Sequence, residues 1–104
     1  MKTSELTGAA LDWAVTKAEG FDHEVTSSEW GMWGWSTDWI QGGPIIEREI
    51  AKIERFSDSL WEATAFTKNA QDFVQSGPTP LIAAMRCYVA SKLGDEVAVP
   101  EELK

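Results

Sequence analysis

The sequence predicts a small α+β domain, with about three helices packed on a short antiparallel sheet. Two segments, Leu11–Ala18 and Ile82–Leu93, carry apolar residues at helical spacing between a capping residue and a glycine. The segment from Leu60 to Thr67 alternates between two faces with the period of a strand. A chain of 104 residues is long enough for one domain with a real but small core.

The first helix starts at Thr7, a residue type that caps by accepting a backbone N–H, and Leu6 is placed to staple onto Leu11. Leu11, Ala14, Val15 and Ala18 form its apolar face, and Gly20 closes it. Trp13 falls at the edge of that stripe, packing on the core margin or facing a partner. Residues 21–35 break the helical pattern. Phe21 and Val25 sit in a polar stretch, and Trp30-Gly31-Met32-Trp33-Gly34-Trp35 fits a strand or an extended loop. Ser36-Thr37-Asp38 is rich in capping oxygens and predicts a turn or one short helical turn.

A second helix is expected to begin at Gly43-Pro44, because proline suits the first helical position. Ile46, Ile50 and Ile53 would be its buried stripe, with Glu47, Arg48, Glu49, Lys52 and Glu54 outward and an end near Phe56 and Ser57. In the strand that follows, Trp61, Ala63, Ala65 and Thr67 share one face, and Leu60, Glu62, Thr64 and Phe66 the other. Lys68 to Gln75, anchored by Phe73 and Val74, reads as a loop or a third short strand. The last helix has Thr79 as cap, Pro80 as first residue, a stripe of Ile82, Met85, Val89 and Leu93 with Leu81 and Tyr88 beside it, and Gly94 as stop. Val97 and Val99 suit a short final strand. Residues 1–99 make the globular domain and 100–104 an acidic, frayed tail.

Composition narrows the function. A net charge of −8 argues against gripping a nucleic-acid backbone, which requires clustered Lys and Arg, yet permits a small anion in a local pocket or a basic protein partner. No apolar run reaches the length of a membrane span, and no secretion signal opens the chain, so the expected location is cytosolic. Cys87 and His23 are the only residues of their types, which excludes an internal disulfide and a Cys- or His-cluster metal site. Cys87 is expected to be a small buried hydrophobe and His23 a surface residue between Asp22 and Glu24. The aspartates are scattered without metal-loop spacing, and neither metal nor cofactor is expected.

The candidate site is built from aromatics and two helix starts. Trp30, Trp33, Trp35 and Trp39 fall within ten residues. A small domain cannot easily hide several such rings, each of roughly 150–250 Å². About two are expected in the core, and the others line a pocket or an interface. Gly42-Gly43-Pro44 and Gly77-Pro78-Thr79-Pro80 each set flexible or capped backbone at a helix N-terminus, where free N–H groups and the dipole favour an anion. Both also serve simply to delimit helices. Trp33, Trp35 or Trp39 would stack on a base, Ser36, Thr37 and Asp38 would meet ribose hydroxyls, and Gly42, Gly43, Thr79, Arg48 and Arg86 would hold phosphate. Ser36 or Asp38 as a helix cap is the simpler role for those two.

Three blocks resemble the NinX-type proteins of tailed phages and prophages. They are Met1-Lys2-Thr3-Ser4-Glu5-Leu6, Ser36-Thr37-Asp38-Trp39-Ile40-Gln41-Gly42-Gly43-Pro44-Ile45-Ile46-Glu47-Arg48-Glu49, and Gly77-Pro78-Thr79-Pro80-Leu81-Ile82-Ala83-Ala84-Met85-Arg86-Cys87-Tyr88-Val89-Ala90-Ser91-Lys92-Leu93-Gly94. The likeness runs through nearly the whole chain, although Glu29–Trp35 is richer in tryptophan than the family pattern. The layout is also similar to phage domains described as an alpha-beta-alpha sandwich. The resemblance implies a phage accessory protein in the cytoplasm of an infected bacterium, and it does not imply an enzyme. The expected function is non-catalytic binding of a small nucleotide-like ligand, such as sequestration of a bacterial immune signal. The alternative is an acidic inhibitor that binds a host defence or DNA-processing enzyme. Surplus aromatic surface further predicts a homo-oligomer.

Overall fold

A computed structural model describes residues 1–20, 34–66 and 72–101. A short 3-10 turn (Thr3–Glu5) leads into α1 (Gly8–Ala18). Then follow α2 (Trp39–Glu49), strands β1 (Lys52–Ser57), β2 (Leu60–Phe66) and β3 (Asp72–Gly77), and α3 (Pro80–Leu93). The sheet is antiparallel in the order β1-β2-β3, so the predicted α+β class holds. The expected strand or loop before Trp35, the positions of Trp30, Trp33 and His23, and the start of the Lys68–Gln75 segment lie outside the described residues.

Helix α3 organises the domain. Eight of its fourteen residues are buried, on all sides of the helix, as expected for one enclosed by other elements. One side lies on β2 and β3, and the other receives α1 and α2. The described residues therefore stack as sheet, central helix, then helix pair, with helices on one face of the strands where a sandwich has them on both. Ala63 and Ala65 are small enough to let α3 lie close on β2. The register puts Ile53 opposite Ala63, and Phe73 opposite Ala65, so three strands contribute to one inner face.

The last helix starts and stops where predicted. Thr79 Oγ1 accepts the Ile82 N–H at 3.1 Å, and Gly94 follows the helix at a φ of 90°, which residues with a Cβ rarely adopt. Thr79→Ala is expected to cost about 1 kcal/mol through loss of the cap, read as a lower urea midpoint with an unchanged slope. The end of β3 needs a glycine for a different reason. A Cβ on Gly77 would lie 2.8 Å from the Ala83 nitrogen, so its absence lets the strand meet the first turn of α3.

Two expectations are corrected. The second helix begins at Trp39, capped by Asp38, and not at Gly43-Pro44. Pro44 sits inside it, where the missing N–H leaves the Ile40 carbonyl without its helical donor; Ile40 is 86% exposed, and water can reach that carbonyl. The same helix ends at Glu49, and Ile53 belongs to β1. The buried face of α2 is Gly42 and Ile45, with Ile46 and Ile50 partly covered. The expected final strand reduces to a single bridge between Lys2 and Glu96, although Val97 and Val99 are buried.

Long-range polar ties close the fold. Thr3 Oγ1 donates to the Gly94 carbonyl at 2.6 Å, and the Thr3 N–H donates to Asp95 at 2.7 Å. Cys87 is buried, and its Sγ lies 3.1 Å from the Phe73 carbonyl, as a small core residue against the sheet. Burial pushes its thiol up to about 11. Alkylation at pH 8 is therefore expected to be far slower in the folded protein than in urea, measured by mass increase over time. The sign for stability follows. The unfolded thiol ionises from about 9.0 and the folded one only near 11, so stability is lost as pH rises across that window.

Candidate functional site

The site begins on α1. Asp12 and Thr16 lie one turn apart on that helix and face the segment before α2. Asp12 Oδ1 accepts both the Ser36 N–H, at 2.9 Å, and the Ser36 hydroxyl, at 2.7 Å. Thr16 Oγ1 accepts the Trp35 indole N–H at 2.9 Å while donating to the Asp12 carbonyl at 2.9 Å. Trp35 is thereby only 7% exposed and Ser36 only 2%.

The turn that follows is self-closed. The Gly34 carbonyl accepts the Thr37 N–H at 3.0 Å and the Asp38 N–H at 2.7 Å. Gln41 Oε1 accepts the Gly34 N–H at 2.7 Å. Asp38 then leaves the turn with extended backbone, and its Oδ1 accepts the Ile40 N–H at 2.9 Å. Gly42 lets the new helix settle. A Cβ there would meet the Trp35 carbonyl oxygen at 2.5 Å and Leu81 Cδ1 at 2.6 Å.

This packing brings the starts of α2 and α3 to one cleft of about 240 Å³, lined by Ser36, Thr37, Trp39, Thr79, Pro80, Leu81 and Ile82. Trp39 is 53% exposed at its rim. Of the residues singled out from sequence, Ser36, Thr37, Trp39 and Thr79 converge here, and Asp38 caps the adjoining helix. The Ser36 hydroxyl proton is already given to Asp12.

The other candidates sit elsewhere. The Trp35 ring is core, held by Thr16, and is not available as a stacking platform. Gly42 and Gly43 are inside α2, and the Gly42 N–H donates to the Asp38 carbonyl at 2.9 Å, so no free amide corner forms there. Arg48 lies at the far end of α2. It pairs with Glu19 at 2.6 Å and Glu49 at 2.8 Å, and sits over the Tyr88 ring. The Tyr88 hydroxyl donates to Glu19, and Lys92 reaches Glu49 at 3.6 Å. This cluster joins the ends of α1 and α2 to the middle of α3. Burial beside Glu19 raises the tyrosine's pKa, and the Arg48 guanidinium lowers that of Glu49.

Arg86 is likewise structural. Its Nε donates to the Leu6 carbonyl at 2.7 Å and its Nη1 to the Ser76 carbonyl at 2.9 Å, tying the N-terminal segment to the end of β3. Partial burial lowers its pKa from the ordinary arginine value. Trp33 lies outside the described residues. Asp12 and Thr16 are the site residues that sequence reasoning missed. The available signal was their one-turn spacing as two polar positions beside an apolar stripe.

Among the described residues, no group of His, Cys, Asp and Glu is arranged to hold a metal ion. No described helix is long and apolar enough to cross a membrane. The fold and the cleft define a small α+β protein in which two helix starts frame one shallow apolar recess. The family model described as Bacteriophage P22, NinX matches residues 2–92, and the chain belongs to that family of phage proteins. No curated protein matches the chain.

Proposed function

We propose that this phage accessory protein binds a small, flat, nucleotide-like ligand in the cleft without transforming it, and so withholds a bacterial immune signal in the host cytoplasm. The observation that carries the reading is the meeting of two helix starts beside a half-exposed indole. Trp39 offers a face for a ring, and Thr37 offers a hydroxyl at the rim.

Electrostatics then choose between the two helix starts. At α2 the Asp38 carboxylate already answers the positive end of the dipole, and it would repel an added anion. At α3 the cap is the uncharged Thr79. Proline removes one donor there and Thr79 takes the Ile82 N–H, which leaves the Leu81 N–H as the first-turn donor for a phosphate or carbonyl oxygen. With Arg48 and Arg86 engaged elsewhere, the base and sugar would supply most of the contact.

The test is calorimetric titration with cyclic dinucleotides and cyclic ADP-ribose isomers, joined to thermal melts and recovery of the ligand after long incubation. The expected result is saturable heat with a raised melting temperature and intact ligand. At a hundredfold excess over Kd the stabilisation is about 2.7 kcal/mol. Absence of heat and of any melting shift across the panel overturns the reading.

A second reading is favoured by one observation. Trp39 and Ile40 are adjacent, exposed at 53% and 86%, on a chain of net charge −8. An exposed aromatic anchor on an acidic protein suits a basic protein partner, such as a host enzyme. Salt-sensitive capture of a host protein, with no small-molecule binding, would select it.

A further inference from the structure

We infer that Asp12 is the positioning residue of the cleft: its carboxylate fixes Ser36, and through Ser36 the wall formed by Thr37 and Trp39. The inference rests on taking the cleft as the binding site. Its basis is a two-point clamp. From one face of α1, Asp12 takes both donors of Ser36 and Thr16 takes the Trp35 indole, while the Thr16 hydroxyl is itself oriented by the Asp12 carbonyl. Two consecutive residues are thus gripped, one through its side chain and one through backbone and side chain. The next residue in the chain enters the cleft.

An unoriented turn at this place would have been simpler to build. Ser36 is buried, and alanine could fill the space without a partner for a hydroxyl. A carboxylate at Asp12 is a poor choice for stability alone. Burial raises its pKa above 3.8, and the two hydrogen bonds from Ser36 offset only part of that effect. The ionised group therefore weighs against folding at neutral pH while holding one turn in place. The groups acting on Asp12 among the described residues are Ser36 and, at its backbone carbonyl, Thr16, and neither is charged.

The clamp is read on the ligand-free protein by amide NMR. In the native chain, the Ser36 amide signal is expected to move through a step centred above 3.8 that belongs to Asp12. The Thr37 and Trp39 amides, which also flank the Asp38 carboxylate, are expected to carry a matching step that is identified by its loss in Asp12→Asn. Asp12→Asn keeps the shape and one acceptor, and its Ser36 signal is expected to lack that step. Asp12→Ala is expected to speed Ser36 amide exchange about tenfold to a hundredfold, the usual consequence of losing a hydrogen bond to a charged group, and Asp12→Asn to restore most of that protection. A Ser36 signal that titrates equally in the Asn variant overturns the inference. So does a Ser36 step that Asp12→Asn removes while the Thr37 and Trp39 signals keep the same pH profile as in the native chain. Because no ligand enters the measurement, a panel of nucleotides that fails to bind would remove the proposed function and leave this result standing.

Discussion

Gly42→Ala is expected to destabilise the protein by about 3 kcal/mol, whereas Gly43→Ala should stabilise it by about 0.5–1 kcal/mol. The two glycines are neighbours in one helix and differ only in what surrounds them. At Gly42 the added methyl would sit 2.5 Å from the Trp35 carbonyl oxygen and 2.6 Å from Leu81 Cδ1. A leucine methyl can turn aside. The carbonyl cannot, because it belongs to a turn pinned by Asp12 and Thr16. At Gly43 nothing lies within 4 Å, so alanine brings only its better helix propensity and a less flexible unfolded chain. For a domain of this size each 1 kcal/mol moves the melting temperature by about 4–8 °C, so the pair should separate clearly in one thermal experiment. Equal effects at both positions would mean that the glycines share a purpose that packing does not explain. If Gly43→Ala instead abolished ligand binding with the melting temperature unchanged, a ligand would have to approach the backbone there, as the sequence first suggested.

The contrast also explains what could be read from the chain. Helix α3 was legible because its signals are local and agree: Thr79 and Pro80 at the start, Gly94 at the end, apolar residues between. Strand β2 was legible because Trp61, Ala63 and Ala65 alternate cleanly. The α2–β1 boundary was not. Ile46, Ile50 and Ile53 continue the helical spacing straight through the point where the chain becomes extended, and neither glycine nor proline marks Ile50 or Ala51. A turn signal that went unused is the Asp58-Ser59 pair, which separates β1 from β2 as a hairpin turn. Pro44 misled in the opposite sense, since its preference for the first helical turn placed the start of α2 too late. In the candidate site, Thr37, Trp39 and Thr79 were readable from residue type and position. The roles of Arg48, Arg86 and Trp35 were not, because each depends on a partner distant in sequence: Glu19, Leu6 and Thr16.

Two tryptophans four residues apart should respond to truncation in opposite ways. Trp35→Ala removes a ring that is 7% exposed and belongs to the main core, and the expected loss is about 3–5 kcal/mol, enough to threaten folding of a small domain. Trp35→Phe keeps most of the ring and loses the indole donor to Thr16, for an expected cost of about 1 kcal/mol. Trp39→Ala removes a ring that is 53% exposed at the mouth of the cleft, so its stability should stay within about 0.5 kcal/mol of the parent. Under the proposed function its expected effect is on binding, where loss of a stacking face is worth about 1–3 kcal/mol, or roughly fivefold to 150-fold in Kd. Denaturant melts and titrations on the same three variants separate the roles, because a core ring moves the midpoint and a site ring moves the affinity. If Trp39→Ala unfolds the protein, the ring is structural and the cleft loses its aromatic wall. If the variant melts normally and binds every active probe as tightly as the parent, the ligand does not stack there, and the exposed Trp39–Ile40 surface passes to a protein partner, whose salt-sensitive capture should then be the activity that Trp39→Ala removes.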